Sequence, residues 1–275
     1  MRGEGRSSFA ERSVRSVFVT YVALLVVVPL AALVARGLAE GPSGLAWVLT
    51  DDTSRAAMHL TISTALLVGV GNVFLGTAVA WVLVRMRFRW RPLLSSLIDL
   101  PLAVPTLVAG LMIATLYGPA SLVGARLASL GVEVAFAAPG IVLALLFVAL
   151  PFVVRAVEPV LREIDPSEEE AARLLGASPW QTFRTVFLPS ILPAAVSGGM
   201  RSIARALGEF GSVVVVAGNI PQRTLTAPVY VFGEIEAGAP GRAAAASIVL
   251  LALTLALFGA ANVVESRTGA RRGAR

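Results

Sequence analysis

The residues best placed to do chemistry in this chain are charged side chains within an apolar stretch. Arg201, Arg205 and Glu209 follow one another at intervals of four residues, and Ser212 lies just beyond them. Residues four apart share one face of an α-helix, and charges at membrane depth usually face a cavity or a partner. Two interpretations stay open. The four residues form a translocation path in which the guanidinium groups attract an anion, or Arg205 pairs with Glu209 and fixes helix packing.

The residue types that are missing exclude several classes of function. The 275 residues include no Cys and a single His, His59, so cysteine nucleophiles and His-based or thiolate metal sites are not expected. All 23 basic residues are Arg, and a P-loop needs a Lys to reach the β- and γ-phosphates of a nucleotide. We therefore predict no catalytic residue, no metal site and no cofactor in this chain. If ATP drives its function, another subunit binds the ATP.

Long apolar blocks position these residues and indicate a membrane protein. The chain is 56% hydrophobic and 15% charged, whereas soluble domains carry about a quarter charged residues. A helix needs roughly 20 apolar residues to cross the hydrocarbon core of a bilayer. Six segments meet this length, so we predict an all-α membrane protein with six transmembrane helices. They are approximately Phe18–Ala35, Leu60–Val84, Leu93–Tyr117, Phe136–Val154, Leu192–Ala217 and Ala244–Val264.

The distribution of Arg predicts the orientation in the membrane. Cytoplasmic loops keep the positive charge, and sixteen of the 23 Arg lie in the two tails and in the loops after the second and fourth blocks. The first block lacks a small-x-small cleavage site, so we expect a retained span and not a cleaved signal peptide. The chain is thus predicted to be a multi-pass protein of the inner membrane, surrounded by lipid, with both termini cytoplasmic. The Arg are topology signals and not a nucleic-acid surface.

Four polar or helix-breaking positions in or next to the second and third blocks carry weaker predictions. Pro101 and Pro105 are expected to kink the third span, because neighbouring helices can satisfy the backbone groups that they free. Asp99 is interpreted as a solvated residue near the cytoplasmic end of this span, or as a pore or packing residue. His59 is expected at the outer interface.

The connection between the fourth and fifth blocks differs from the others, because it carries two sets of helix-start signals. Asp165 can cap a helix, and Glu168 at the third position would complete a capping box. Gly176 suits the left-handed position that ends such a helix. Ser178 and Gln181 then repeat the capping pattern. A second short helix with Trp180, Phe183 and Phe187 is predicted to stop before Pro189.

We call residues Glu168–Pro189 the loop segment. From its residues alone, the loop segment is either a docking element for a partner or an amphipathic element packed on its own bundle. It contains Glu170-Ala171-Ala172, then Gly176, then Val186-Phe187-Leu188-Pro189. This pattern resembles the EAA loop of binding-protein-dependent ABC importer permeases, with Val186 in the place of the usual Ile.

The resemblance implies the fold of a type I, MetI-like ABC importer permease with a cytoplasmic coupling-helix loop. It covers residues 57–264 as an ABC transmembrane type-1 domain, between an N-terminal region of residues 1–56 and a basic tail of residues 265–275. It also implies that the loop segment seats in a cleft of a cytoplasmic ABC ATPase dimer, which binds ATP and Mg. The residues assigned to ATPase coupling are Glu170, Ala171, Ala172, Gly176, Ala177, Phe183, Leu188 and Pro189.

The stretch Ala204–Pro221 is similar to the T-type permease subunit of sulfate/thiosulfate importers. Its A-R-A-L-G-E-F-G core is shared with molybdate permeases, while Gly218-Asn-Ile-Pro221 favours sulfate. Leu225 departs from the acidic residue that T-type chains often carry. The resemblance implies a heterodimer with a second permease of the W type and an extracytoplasmic sulfate-binding protein. A molybdate/tungstate permease, an ion-coupled secondary transporter and a non-transporting scaffold remain alternatives.

Overall fold

The computed structural model describes the backbone of residues 4–39 and 41–270. Within these ranges the regular structure is entirely helical. The residues 271–275, which end the predicted basic tail, lie outside the described part. In chain order the helices are α1 (Glu4–Val22), α2 (Val28–Leu38), α3 (Gly41–Thr50), α4 (Asp52–Arg85), α5 (Arg91–Ala103), α6 (Thr106–Tyr117), α7 (Leu122–Ser129), α8 (Ala138–Glu163), α9 (Pro166–Leu174), α10 (Pro179–Thr182), α11 (Leu188–Leu207), α12 (Gly211–Val216), α13 (Ala227–Glu236) and α14 (Pro240–Ala270).

Several of these helices are long enough to cross a membrane, which confirms the all-α membrane fold. Among the described residues, five helical stretches have the length and apolar composition of a span, and the bent pair α5 and α6 raises the number to six if it counts as one. The five are Ser13–Leu38, Asp52–Arg85, Ala138–Glu163, Pro179–Leu207 and Pro240–Gly259.

The third predicted span, Leu93–Tyr117, is wrong as a single kinked helix. α5 and α6 meet at an angle of 112°, with the break at Val104 and Pro105. Val104 has φ −82° and ψ 132°, the extended conformation that a residue before proline favours. Pro105 also has no N–H with which to continue the α-helical pattern. The proline therefore breaks the segment into two helices.

The fifth predicted span, Leu192–Ala217, has different bounds, and the loop segment runs into it without a stop. α10 continues through a π-helical turn, Phe183–Phe187, into α11, and the combined helix ends at Leu207. Leu188 donates its N–H to the carbonyl of Phe183, five residues earlier. This wider turn lets the helix pass Pro189, whose missing N–H would interrupt an ordinary α-helical pattern. The predicted stop before Pro189 is therefore wrong.

The chain divides into two compact units. The first combines the region up to Asp51 with Val231–Leu251. In it, the small residues of α14 are buried, and the guanidinium carbon of Arg242 lies 4.6 Å from the ring centroid of Trp47. A cation over an aromatic face at this distance is attracted by the ring quadrupole. The buried small residues are Ala243, Ala244, Ala245 and Ala246.

The second unit consists of Asp52–Tyr230 and the chain from Ala252 onward, and its core is formed by α4, α8 and α11. These helices approach closely at glycines: a Cβ on Gly76 would lie 2.7 Å from the Cβ of Val153. Small residues allow such contact between membrane helices. Inside the core the Nδ2 of Asn72 donates to the Oγ of Ser202 at 3.0 Å, which joins α4 to α11.

Candidate functional site

The first helix of the loop segment begins at a side-chain cap. The Oδ1 of Asp165 accepts the backbone N–H of Ser167 at 2.8 Å. This hydrogen bond holds the pKa of the exposed Asp165 carboxyl below its ordinary value, because it stabilises the charged form. The cap is therefore retained at neutral pH. The capping box predicted with Glu168 is wrong, since the N–H of Glu168 bonds to the Asp165 carbonyl at 3.1 Å.

The turn after α9 is built around Gly176, as the sequence predicts. Gly176 has φ +78°. Its N–H donates to the carbonyl of Arg173 at 2.9 Å, and the N–H of Ala177 donates to the carbonyl of Ala172 at 3.0 Å. This pair of bonds is the Schellman motif, in which a left-handed residue ends the helix and its last carbonyls are satisfied. The predicted left-handed Gly176 is confirmed.

The second helix of the loop segment begins at a complete capping box. The Oγ of Ser178 accepts the N–H of Gln181 at 3.3 Å, and the Oε1 of Gln181 accepts the N–H of Ser178 at 2.7 Å. This prediction is confirmed. With both caps and the Gly176 turn in place, the loop segment is a defined helix–turn–helix whose shape follows from local sequence signals.

The loop segment exposes large apolar side chains. Leu174, Leu175 and Trp180 are 89%, 88% and 66% exposed. Exposed apolar surface marks interaction sites when it is contiguous, and these three residues lie within seven positions of one another around Gly176. The residues of the coupling prediction lie around them: Glu170, Ala171 and Gly176 are exposed, whereas Ala172, Ala177, Phe183, Leu188 and Pro189 are half-buried.

The other side of the loop segment is packed on the last turns of α4, and sequence reasoning missed this contact. The ring of Trp81 meets Phe183 edge to face, with centroids 5.5 Å apart, and meets Phe187 in the same way at 4.9 Å. The guanidinium carbon of Arg85 lies 4.7 Å from the Phe187 ring centroid, and Arg85 also forms an ion pair with Glu169. The available signal was the spacing of Trp81 and Arg85, which puts them on one face of α4.

The structure brings together only some of the residues that were predicted to form a translocation path. Arg205 forms an ion pair with the buried Glu209, whose Oε1 accepts the N–H and the Oγ–H of Ser212 at 2.8 and 3.0 Å. This arrangement is the packing pair of the second interpretation. Arg201 is exposed and takes no part in this pair.

A third polar cluster joins α5 to α8 and gives Asp99 a role in packing. The Nε of Arg155 donates to the Oδ1 of Asp99 at 2.8 Å, and a terminal nitrogen of Arg155 donates to the Oγ of Ser95 at 2.9 Å. Arg155 also pairs with Glu158, whose carboxylate is shared with Arg162. The ion pair with Arg155 supports the interpretation of Asp99 as a packing residue, although its side chain is still 46% exposed.

Together these features define a class of protein: a multi-pass helical membrane protein with a capped helix pair exposed ahead of one span. The fold is that of a crystallised bacterial alginate ABC transporter in complex with an alginate pentasaccharide-bound periplasmic protein, with a TM-score of 0.78 at 15% identity, over 95% of this chain and 96% of that one.

Sequence comparison gives a more specific assignment than the fold does. Residues 72–270 match the family described as "Binding-protein-dependent transport system inner membrane component". The chain is 42% identical over 253 residues, 91% of either protein, to the "Sulfate transport system permease protein CysT" of Escherichia coli (strain K12). It is 41% identical over 246 residues to the "Probable sulfate transport system permease protein cysT" of Nephroselmis olivacea, over 90% of this chain and 87% of that one.

A relative of the second permease type is also close. The identity to the "Sulfate transport system permease protein CysW" of Synechocystis sp. (strain ATCC 27184 / PCC 6803 / Kazusa) is 39% over 249 residues, 90% of either protein. The chain belongs to the family of binding-protein-dependent transport system inner membrane components.

Proposed function

We propose that this chain is the T-type permease subunit of an ABC importer for sulfate or thiosulfate. The observation that carries the proposal is the likeness to named sulfate permeases along nearly the whole chain. The chain is a transporter subunit and not an enzyme. ATP hydrolysis, with its Mg, belongs to a partner subunit, in keeping with the absence of the Lys that a P-loop requires.

The loop segment is the contact to that partner. Its exposed face, formed by Leu174, Leu175 and Trp180 beside Glu170 and Ala171, seats in the ATPase. An apolar centre with a polar margin is the usual anatomy of a protein interface. The ATPase lies in the cytoplasm, so this proposal also places the loop segment and both termini of the chain on the cytoplasmic side. The transporting domain extends over residues 57–264.

The translocation path runs past the exposed Arg201 on α11. A guanidinium provides five N–H donors in a planar fork that suits an oxyanion. Arg205, Glu209 and Ser212 support the path by fixing the end of α11 and the start of α12. A W-type permease completes the path, and an extracytoplasmic sulfate-binding protein delivers the anion.

Two measurements test this function. The chain is expressed with its ATPase, W-type permease and binding protein, and we expect the ATPase to co-purify with it. Uptake of labelled sulfate in the same cells should be blocked by excess thiosulfate and not by trace molybdate. Inhibition by trace molybdate instead supports a molybdate/tungstate importer. Sulfate uptake that persists without the ATPase supports an ion-coupled secondary transporter.

A further inference from the structure

The contact between the loop segment and α4 indicates a role for the loop segment in addition to docking on an ATPase. We propose that the loop segment and α4 move as one rigid body, so that α4 carries the displacement of the loop segment across the membrane. This inference rests on the proposed function, since it concerns how an ATPase movement reaches the translocation path. It assigns Trp81, Arg85 and Glu169 as positioning residues for coupling.

The charged half of this contact is centred on Glu169. Its carboxylate is shared by Arg85 from α4 and Arg173 from α9, and the Glu169 side chain is only 16% exposed. Charge-assisted hydrogen bonds to a partly buried carboxylate are roughly twice as strong as neutral ones. Glu169 is thus held from both elements at once. Its neighbours Glu168 and Glu170 are exposed.

The apolar half of the contact surrounds the same ion pair. Trp81 holds Phe183 and Phe187 edge to face, and Arg85 lies over the Phe187 ring. Phe187 is 3% exposed and belongs to the apolar cluster that also contains Leu83 of α4. Aromatic pairs of this kind stabilise a contact beyond the area that they bury. The π-helical turn of the loop segment is therefore packed directly on α4.

α4 is one unbroken helix, and it extends from this contact to two further polar contacts of the core. Asn72 bonds to Ser202, the residue after Arg201 on α11. Further along, the Oγ1 of Thr61 accepts the N–H of Ala227 at 2.8 Å, which ties α4 to the chain after α12. At 1.5 Å per residue, the 24 residues from Thr61 to Arg85 extend about 36 Å. A single stiff element thus joins the loop segment to the neighbour of Arg201 and to the opposite end of the unit.

The decisive experiment uses the absence of Cys in the chain. The pair R85C and E169C is introduced into the complete complex, and sulfate import per ATP hydrolysed is measured in proteoliposomes. Losing the charge-assisted bonds should reduce this coupling ratio about tenfold. A short bis-methanethiosulfonate cross-linker should restore the ratio, and a reducing agent should abolish it again. If cross-linking blocks transport, the loop segment must move relative to α4. If cross-linking does not restore the coupling ratio, the link between the two elements does not set that ratio. Either result contradicts the proposal.

Isosteric variants keep the test valid if the cysteine pair fails to assemble. Glu169→Gln preserves shape and should reduce the coupling ratio with the ATPase still bound. Glu163→Gln makes the same charge change at an exposed residue outside the loop segment and should not. An E169Q complex with a normal coupling ratio refutes the rigid link alone. Failure of the wild-type complex to import sulfate refutes the proposed function instead, so the two failures are distinguishable.

Discussion

Replacing Gly176 with Val tests whether the shape of the loop segment depends on one backbone conformation. Gly176 has φ +78°, and a Cβ added there would meet no atom within 4 Å. A Cβ at this position therefore clashes with no neighbouring residue, and the expected effect comes from the left-handed conformation. That conformation costs an L-residue about 1–2 kcal/mol, which is a roughly 5- to 30-fold loss in the population of the turn.

The assay is co-purification of the ATPase, followed by ATP-dependent sulfate uptake. We expect Gly176→Val to lower both and Gly176→Asn to retain most of both, because Asn tolerates left-handed conformations. Gly131 offers a matched control, since it also has φ +78° and open space but lies in the turn after α7. Gly131→Val should leave ATPase binding unchanged. Equal loss in the Val and Asn variants of Gly176 would refute the backbone argument, because it would show that the partner tolerates no side chain at this position.

Three further substitutions separate transport from folding. Arg201→Gln should lower sulfate uptake while ATPase co-purification stays normal, and unchanged uptake would remove Arg201 from the path. Arg205→Gln leaves the buried Glu209 without its cation. Breaking a buried pair costs about 3–5 kcal/mol, so the thermal stability of the purified protein should fall. The added change Glu209→Gln should recover part of that stability. Arg155→Met removes the polar tie to Asp99, so a single cysteine introduced into α5 should be labelled faster with this change than without it.

Local signals predicted the parts of the fold that depend on neighbouring residues. Composition and the length of the apolar blocks predicted a helical membrane protein. Caps at Asp165 and Ser178 and the left-handed Gly176 depend only on residues within a few positions of each other. These elements were predictable because each hydrogen bond joins atoms of the same turn.

The wrong predictions of helix bounds concern prolines in apolar segments, where the backbone can adopt more than one conformation. A proline in an apolar block can kink a helix or break it, and at Pro105 the extended Val104 breaks it. At Pro189 the opposite occurs, because the π-helical turn before it lets the helix continue. The sequence contains the proline in both cases, and the neighbouring packing decides the outcome.

The contacts that hold the candidate site were beyond sequence reasoning for a different reason. Arg85 and Glu169 are 84 residues apart, and Asp99 and Arg155 are 56 apart. A helical period identifies the face that a residue shares with its neighbours, but it does not identify the element that packs on that face. The ion pair of Arg205 with Glu209 was foreseen as one of two interpretations from the four-residue spacing, and it forms although α11 ends at Leu207 and Glu209 lies just beyond it.

The central claim is that this chain imports sulfate through energy supplied by a separate ATPase. Proteoliposomes containing the chain, its W-type partner and the ATPase, with binding protein outside and ATP inside, measure it directly. The account predicts that labelled sulfate accumulates only when ATP and binding protein are both present, and that Gly176→Val abolishes most of the accumulation. Accumulation driven by an ion gradient in the absence of ATP would contradict it.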